Sequence, residues 1–124
     1  MSIKISSELH DDYLLLTSSG SVSTIDEYES LVEQYLKEAP KFDKRTIVID
    51  ETGIQFTPSL MLQSDIVKFF NQNSPDEMKK AKVAVISNKE SMDFQKYWEF
   101  WANQAGYNYK VFSSMDEALE FIKK

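Results

Sequence analysis

The sequence has no cysteine, three glycines, three prolines and one histidine in 124 residues. Without cysteine there is no disulfide framework, thiolate zinc site, iron–sulfur cluster or catalytic thiol. Gly20, Gly53 and Gly106 lie too far apart to form a phosphate-cradling loop or a dinucleotide fingerprint, and a lone His10 forbids paired-histidine metal motifs. No cofactor is therefore expected. Positive charge is scarce as well: 14 Lys+Arg against 20 Asp+Glu leave a net charge of −6, and Arg45 is the sole arginine. Phosphate neutralisation needs clustered basic residues, so nucleic acid does not fit as a partner. No apolar run approaches the ~20 residues that span a bilayer. The opening Met1-Ser2-Ile3-Lys4 leads into alternating polar residues rather than a signal-peptide run, so a cytoplasmic, unprocessed chain is expected.

What the sequence does hold is 42% hydrophobic residues. A chain of this length buries roughly 60 to 70% of its unfolded surface, which suits one domain over 1–124 without staples. Ile3 and Ile5 alternate with Lys4 and Ser6, and Tyr13 to Thr17 follow a polar turn at His10-Asp11-Asp12, the pattern of a hairpin. Thr24-Ile25-Asp26-Glu27 has capping-box spacing and opens a helix that Pro40 stops. Ile47-Val48-Ile49 reads as a strand buried on both faces, ending at Asp50, with a turn through Glu51-Thr52-Gly53. Thr57-Pro58 suits the start of a second helix, carried by Leu62, Ile66, Phe69 and Phe70. Val83 to Ile86 repeats the buried-strand pattern, and Ser87 with Glu90 offers a further capping box before a third helix that stops at Gly106. A strand over Tyr107 to Phe112 and a helix capped by Ser114 and Glu117 complete the order ββαβαβαβα. The expected fold is α/β: a mixed, mostly parallel five-stranded sheet with an N-terminal hairpin and four helices.

The stretch from Ile47 to Leu62 resembles the central motif of STAS domains, the sulfate-transporter and anti-sigma-antagonist family. There a hydrophobic strand ends in Asp, a turn with a Gly-aliphatic-acidic-Phe step follows, and an Asp-Ser-Ser-Gly-Leu segment opens the next helix. The counterparts here are Asp50, Gly53-Ile54-Gln55-Phe56 and Pro58-Ser59-Leu60-Met61-Leu62. The closing run Phe112 to Ile122 is similar to the final helix of small SpoIIAA-like bacterial proteins. The resemblance implies a STAS-like fold and a non-enzymatic regulatory role by docking to another protein or to a second copy. In anti-sigma antagonists the second serine of the segment accepts phosphate; Leu60 occupies that place here, Pro58 replaces the acidic residue and Met61 the glycine. The usual phosphoswitch is therefore expected to be lost, with Ser59 and Thr57 left as candidate phosphoacceptors at a helix start.

Several features have both a functional and an ordinary reading. Asp50 stands where a doubly wound sheet places a catalytic or metal-binding acid, and Glu51 beside it suggests a hard-cation site. The ordinary reading is an Asp that accepts hydrogen bonds from the following turn, and no catalytic constellation is visible. His10 reads as a turn residue. In the third helix, Phe94, Tyr97, Trp98, Trp101 and Ala105 share an apolar face, with Trp98 near its edge and Phe100 outside it. The candidate docking residues are thus Asp50, Pro58, Ser59, Leu60, Met61, Trp98 and Phe100. An alternative is a pocket for a lipid or other small apolar ligand, lined by Phe56, Leu62, Phe69, Phe70 and the aromatic helix.

Overall fold

The computed structural model describes residues 3–38, 46–56 and 81–123. The hairpin forms as expected: β1 (Lys4–Leu9) runs antiparallel to β2 (Leu14–Val22), and His10 N–H donates to the Tyr13 carbonyl across a two-residue turn. α1 (Ile25–Glu38) then leads to β3 (Thr46–Phe56), which lies parallel to β2. β4 (Lys82–Ile86), α2 (Met92–Gln104), β5 (Asn108–Phe112) and α3 (Met115–Lys123) follow. The five strands stand in the order β1-β2-β3-β4-β5, and only the β1–β2 pair is antiparallel. The second helix expected after Thr57 lies outside the described residues, among which three helices stand. None of these is long and apolar enough to cross a membrane.

Alternation along the central strands gives the sheet two buried faces. Leu14, Leu16, Ile47, Ile49, Val83 and Val85 point to one, where Tyr28, Leu31 and Tyr35 of α1 and Phe94, Trp98 and Ala102 of α2 cover them. Val48, Ala84 and Ile86 point to the other and meet Ala118 of α3, with Tyr13, Leu15, Phe112 and Phe121 around them. Helices on both faces explain why the β3 and β4 sequences are continuous apolar runs rather than half-polar ones.

The helix ends obey local chemistry. At α1, Thr24 N–H donates to Glu27 Oε1 (3.1 Å) and Glu27 N–H to Thr24 Oγ1 (3.2 Å), the reciprocal bonds of the expected capping box. Ser23 adds its own N–H and hydroxyl to the same oxygen, and these donors hold the Glu27 carboxyl below its usual range. At α3, Glu117 N–H donates to Ser114 Oγ (3.3 Å). The box expected from Ser87 and Glu90 does not form. Ser87 is buried and its N–H donates to the Phe112 carbonyl, continuing the β4–β5 pairing, so the helix starts later, at Met92 behind Ser91.

α2 stops where Gly106 adopts φ 98°, with Gly106 N–H donating to the Asn103 carbonyl and Tyr107 N–H to Ala102. These two bonds are a Schellman cap, and its left-handed residue strongly prefers glycine. Gly106→Ala is expected to lower stability by about 1 kcal/mol, seen as a lower urea midpoint with an unchanged denaturant slope.

Candidate functional site

The sequence places the end of the β3 strand at Asp50, but β3 continues for six more residues to Phe56. What carries it on is β2, which reaches Val22 and pairs with β3 in a shifted register. Thr17 stands opposite Asp50 and Ser19 opposite Gly53, so two residues of β3, Glu51 and Thr52, face the single Ser18. The extra residue is a bulge, and it lets Glu51 and Ile54, three positions apart, both be buried. Close approach accompanies it: a Cβ on Gly53 would lie 3.2 Å from the Ser18 carbonyl oxygen and from Ser19 Cβ.

Alternation from Ile47 and Ile49 turns Glu51 into the layer between sheet and helices, where it is 2% exposed, and the bulge brings Ile54 back to the same face. Tyr35 of α1 donates to its Oε2 at 2.7 Å and Gln95 of α2 to its Oε1 at 2.5 Å. Tyr35 has a single proton and gives it to the carboxylate, so the Ser18 hydroxyl, 2.8 Å away, donates to the phenol oxygen. Tyr28 and Tyr109 form a second, hydrogen-bonded hydroxyl pair in the same layer. Burial pushes all three tyrosines well above their ordinary range, and the Glu51 charge adds to this. Burial also raises Glu51 itself to about 7; the Tyr35 and Gln95 hydrogen bonds oppose the rise, and the Asp50 charge adds to it. Gln95 Oε1 is buried and has no hydrogen-bond partner among the described residues.

Asp50 and Glu51 are neighbours on a strand, so their side chains leave on opposite faces and do not form a shared cation site. Asp50 Oδ1 instead accepts from Thr52 N–H (3.0 Å) and Thr52 Oγ1 (2.7 Å), which is the ordinary reading of that residue. No group of three or more His, Asp or Glu among the described residues could hold a metal ion. On the open side of the bulge, β4 has already ended. There Asn88 Nδ2 donates to the carbonyls of Thr52 (3.1 Å) and Ile54 (2.9 Å), while its Oδ1 accepts from Ser91 N–H (2.8 Å) at the start of α2. One side chain thus stands in for the missing strand and fastens α2 to β3.

The other candidate residues divide. Trp98 belongs to the core, 3% exposed with its ring centroid 4.2 Å from that of Tyr28, so it is removed from the docking surface. It sits four residues from Phe94, and both turn inward with Ala102. Phe100 is 53% exposed, edge-on to Trp101. Thr57, Pro58, Ser59, Leu60 and Met61 lie outside the described residues, as do Leu62, Phe69 and Phe70. His10 stacks on Tyr13, with its Nε2 2.8 Å from Glu8 Oε1.

Sequence reading missed the roles of Ser18, Tyr35, Gln95 and Asn88. Two signals were present: carrying the alternation of Ile47 and Ile49 one step further puts Glu51 on the buried face, and helical spacing sets Gln95 beside Ala102 at the edge of the apolar face of its helix.

The pH dependence of stability follows from Glu51. Its folded value, about 7, lies above the ordinary 4.5. Between the two, the folded chain keeps a proton that the unfolded chain releases, so stability falls with rising pH by about 1.4 kcal/mol per unit, on the order of 3 kcal/mol in all. Glu51→Gln is expected to flatten that decline, because an amide does not titrate, and rotation of the Gln95 amide offers its Oε1 to the new NH2 so that the variant stays paired; urea unfolding at about pH 4.5, about 6 and about 8 reads the effect. Asn88→Ala leaves two β3 carbonyls and one N–H unpaired and is expected to cost about 2 kcal/mol.

No family model matches the chain, and no curated protein matches it. Solved structures that are similar across almost all of it include two. A crystal structure of an anti-sigma factor antagonist from Mycobacterium paratuberculosis aligns with a TM-score of 0.63 and 14% identity, over 99% of this chain and 96% of that one. An uncharacterised Shewanella loihica protein with a SpoIIAA-like fold aligns with a TM-score of 0.55 and 19% identity, over 97% and 93% of the two chains. The chain therefore has the SpoIIAA-like fold, the mixed α/β architecture expected from its element order.

Proposed function

We propose that this chain is a non-catalytic regulatory module that docks to another protein through the end of β3 and the segment after it. The observation that carries the reading is the likeness, over nearly the whole chain, to an anti-sigma factor antagonist. Absence of catalysis is supported by the setting of the strongest acid–base candidate. Glu51 is the described carboxylate with a value raised into the neutral range, and it is sealed behind Tyr35 and Gln95, out of a substrate's reach. Asp50 is engaged by the N–H and hydroxyl of Thr52.

The docking surface consists of Asp50, Pro58, Ser59, Leu60 and Met61, with Phe100 as a separate aromatic anchor. Leu60 in place of a serine makes the contact constitutive: with no hydroxyl at that position, no phosphate is placed there to break the complex. Neither Ser59 nor Thr57 takes over the role. Native mass spectrometry of the chain isolated from its own cells is expected to show a hetero-complex and no phosphorylated species. Leu60→Asp and Phe100→Ser are each expected to weaken the complex about tenfold, equivalent to about 1.4 kcal/mol. An unchanged complex in both variants, or phosphate on Ser59 or Thr57, refutes the reading.

A further inference from the structure

The two edges of the sheet differ. On β5, Val111 turns its N–H and carbonyl away from β4, and α2 covers both: Glu99 Oε2 accepts from Val111 N–H at 2.5 Å and Lys96 Nζ donates to Val111 O at 3.0 Å. Lys96 and Glu99 are themselves 3.5 Å apart, so an ion pair closes that edge against further strands. β1 is the other edge.

The hairpin register settles which β1 groups are free. His10 N–H bonds to the Tyr13 carbonyl, and pairing proceeds from there as Leu9↔Leu14, Glu8↔Leu15 and Ser7↔Leu16. Hydrogen-bonded and non-hydrogen-bonded pairs alternate in an antiparallel ladder, so Glu8, Ser6 and Lys4 bond inward to β2. Ile3, Ile5, Ser7 and Leu9 present their N–H and carbonyl groups outward. Among the described residues none of these outward groups has a hydrogen-bond partner; the Ser7 side chain is held separately, its Oγ donating to Glu38 of α1 at 3.1 Å.

We propose that β1 pairs antiparallel with β1 of a second copy of this chain, about a two-fold axis at Ser6, joining two sheets into one. Of the registers that oppose outward groups to outward groups, this one places Ile5 opposite Ser7 and Ile3 opposite Leu9 as hydrogen-bonded pairs. Lys4 then stands opposite Glu8 twice, in the non-hydrogen-bonded positions where Cα atoms approach to about 4.5 Å and side chains are closest. A shift by one outward pair either way loses the charge match, putting Lys4 opposite Ser6 or His10. The charges are accessible, because Lys4 and Glu8 are both exposed, and His10 lies against one oxygen of Glu8. Leu9, 52% exposed, gains Ile3 of the second copy as a neighbour. The interface is isologous, so it closes as a dimer rather than growing into a fibre.

Sedimentation equilibrium of the full chain from micromolar to millimolar concentration tests this, with far-UV circular dichroism to confirm the fold. The wild type is expected to dimerise, and more weakly as salt is raised. Lys4→Glu and Glu8→Lys are each expected to weaken the dimer about tenfold or more, because both cross-axis pairs become repulsive. The double variant restores opposite charges and is expected to recover the dimer. If a charge reversal unfolds the chain, Lys4→Gln and Glu8→Gln give the same test at smaller amplitude. A wild type monomeric throughout, folded single variants that dimerise like wild type, or a double variant that stays monomeric overturns the proposal. None of these results bears on docking at Leu60 and Phe100, which lie away from β1 in sequence and are tested separately.

Discussion

A carboxylate buried as deeply as Glu51 must have donors supplied by the fold, because its desolvation is far more costly than any single contact can offset. The surrounding structure is arranged accordingly. β3 extends past Asp50 so that its alternation turns Glu51 inward, α1 brings Tyr35, α2 brings Gln95, and Ser18 of β2, opposite the bulge, completes the hydroxyl chain. The same bulge then needs its outer carbonyls satisfied where β4 has ended, and Asn88 does this while holding the start of α2. Two helices and two strands are therefore registered to one another by polar bonds, in a layer otherwise filled by apolar packing. Such a network specifies a single arrangement, since any slip leaves a buried group unpaired.

In sequence, the proposed docking stretch from Pro58 to Met61 follows closely on the bulged strand, which the Glu51 and Asn88 contacts hold against α1 and α2. The two sheet edges show a related division of labour: the Lys96–Glu99 pair closes β5, while the alternating charges of β1 remain open and self-complementary.

Much of the fold was legible because local rules governed it. The boxes at Thr24–Glu27 and Ser114–Glu117 and the stop at Gly106 are satisfied within a few residues of chain, and they form as read. The apolar runs at Ile47 and Val83 became strands covered on both faces. Three readings gave way to tertiary contacts. Ser87 and Glu90 have capping spacing, yet β5 claims Ser87 first. Asp50 looks like a strand end, yet pairing with the long β2 carries β3 to Phe56. Trp98 sits at the edge of its helical face, yet Tyr28 of α1 reaches over it and takes it into the core.

By itself, the sequence determined the inventory of chemistry and the order of elements. Absent cysteine, scarce glycine and histidine, capping residues and hydrophobic period are properties of the chain read locally. The site was different, since Ser18, Tyr35, Glu51, Asn88 and Gln95 come from four elements and a loop and have no shared spacing. Only the tertiary structure brought them together. A bulge is a mismatch between two strands and a buried charge is a relation among neighbours, so neither is a property that one segment carries alone.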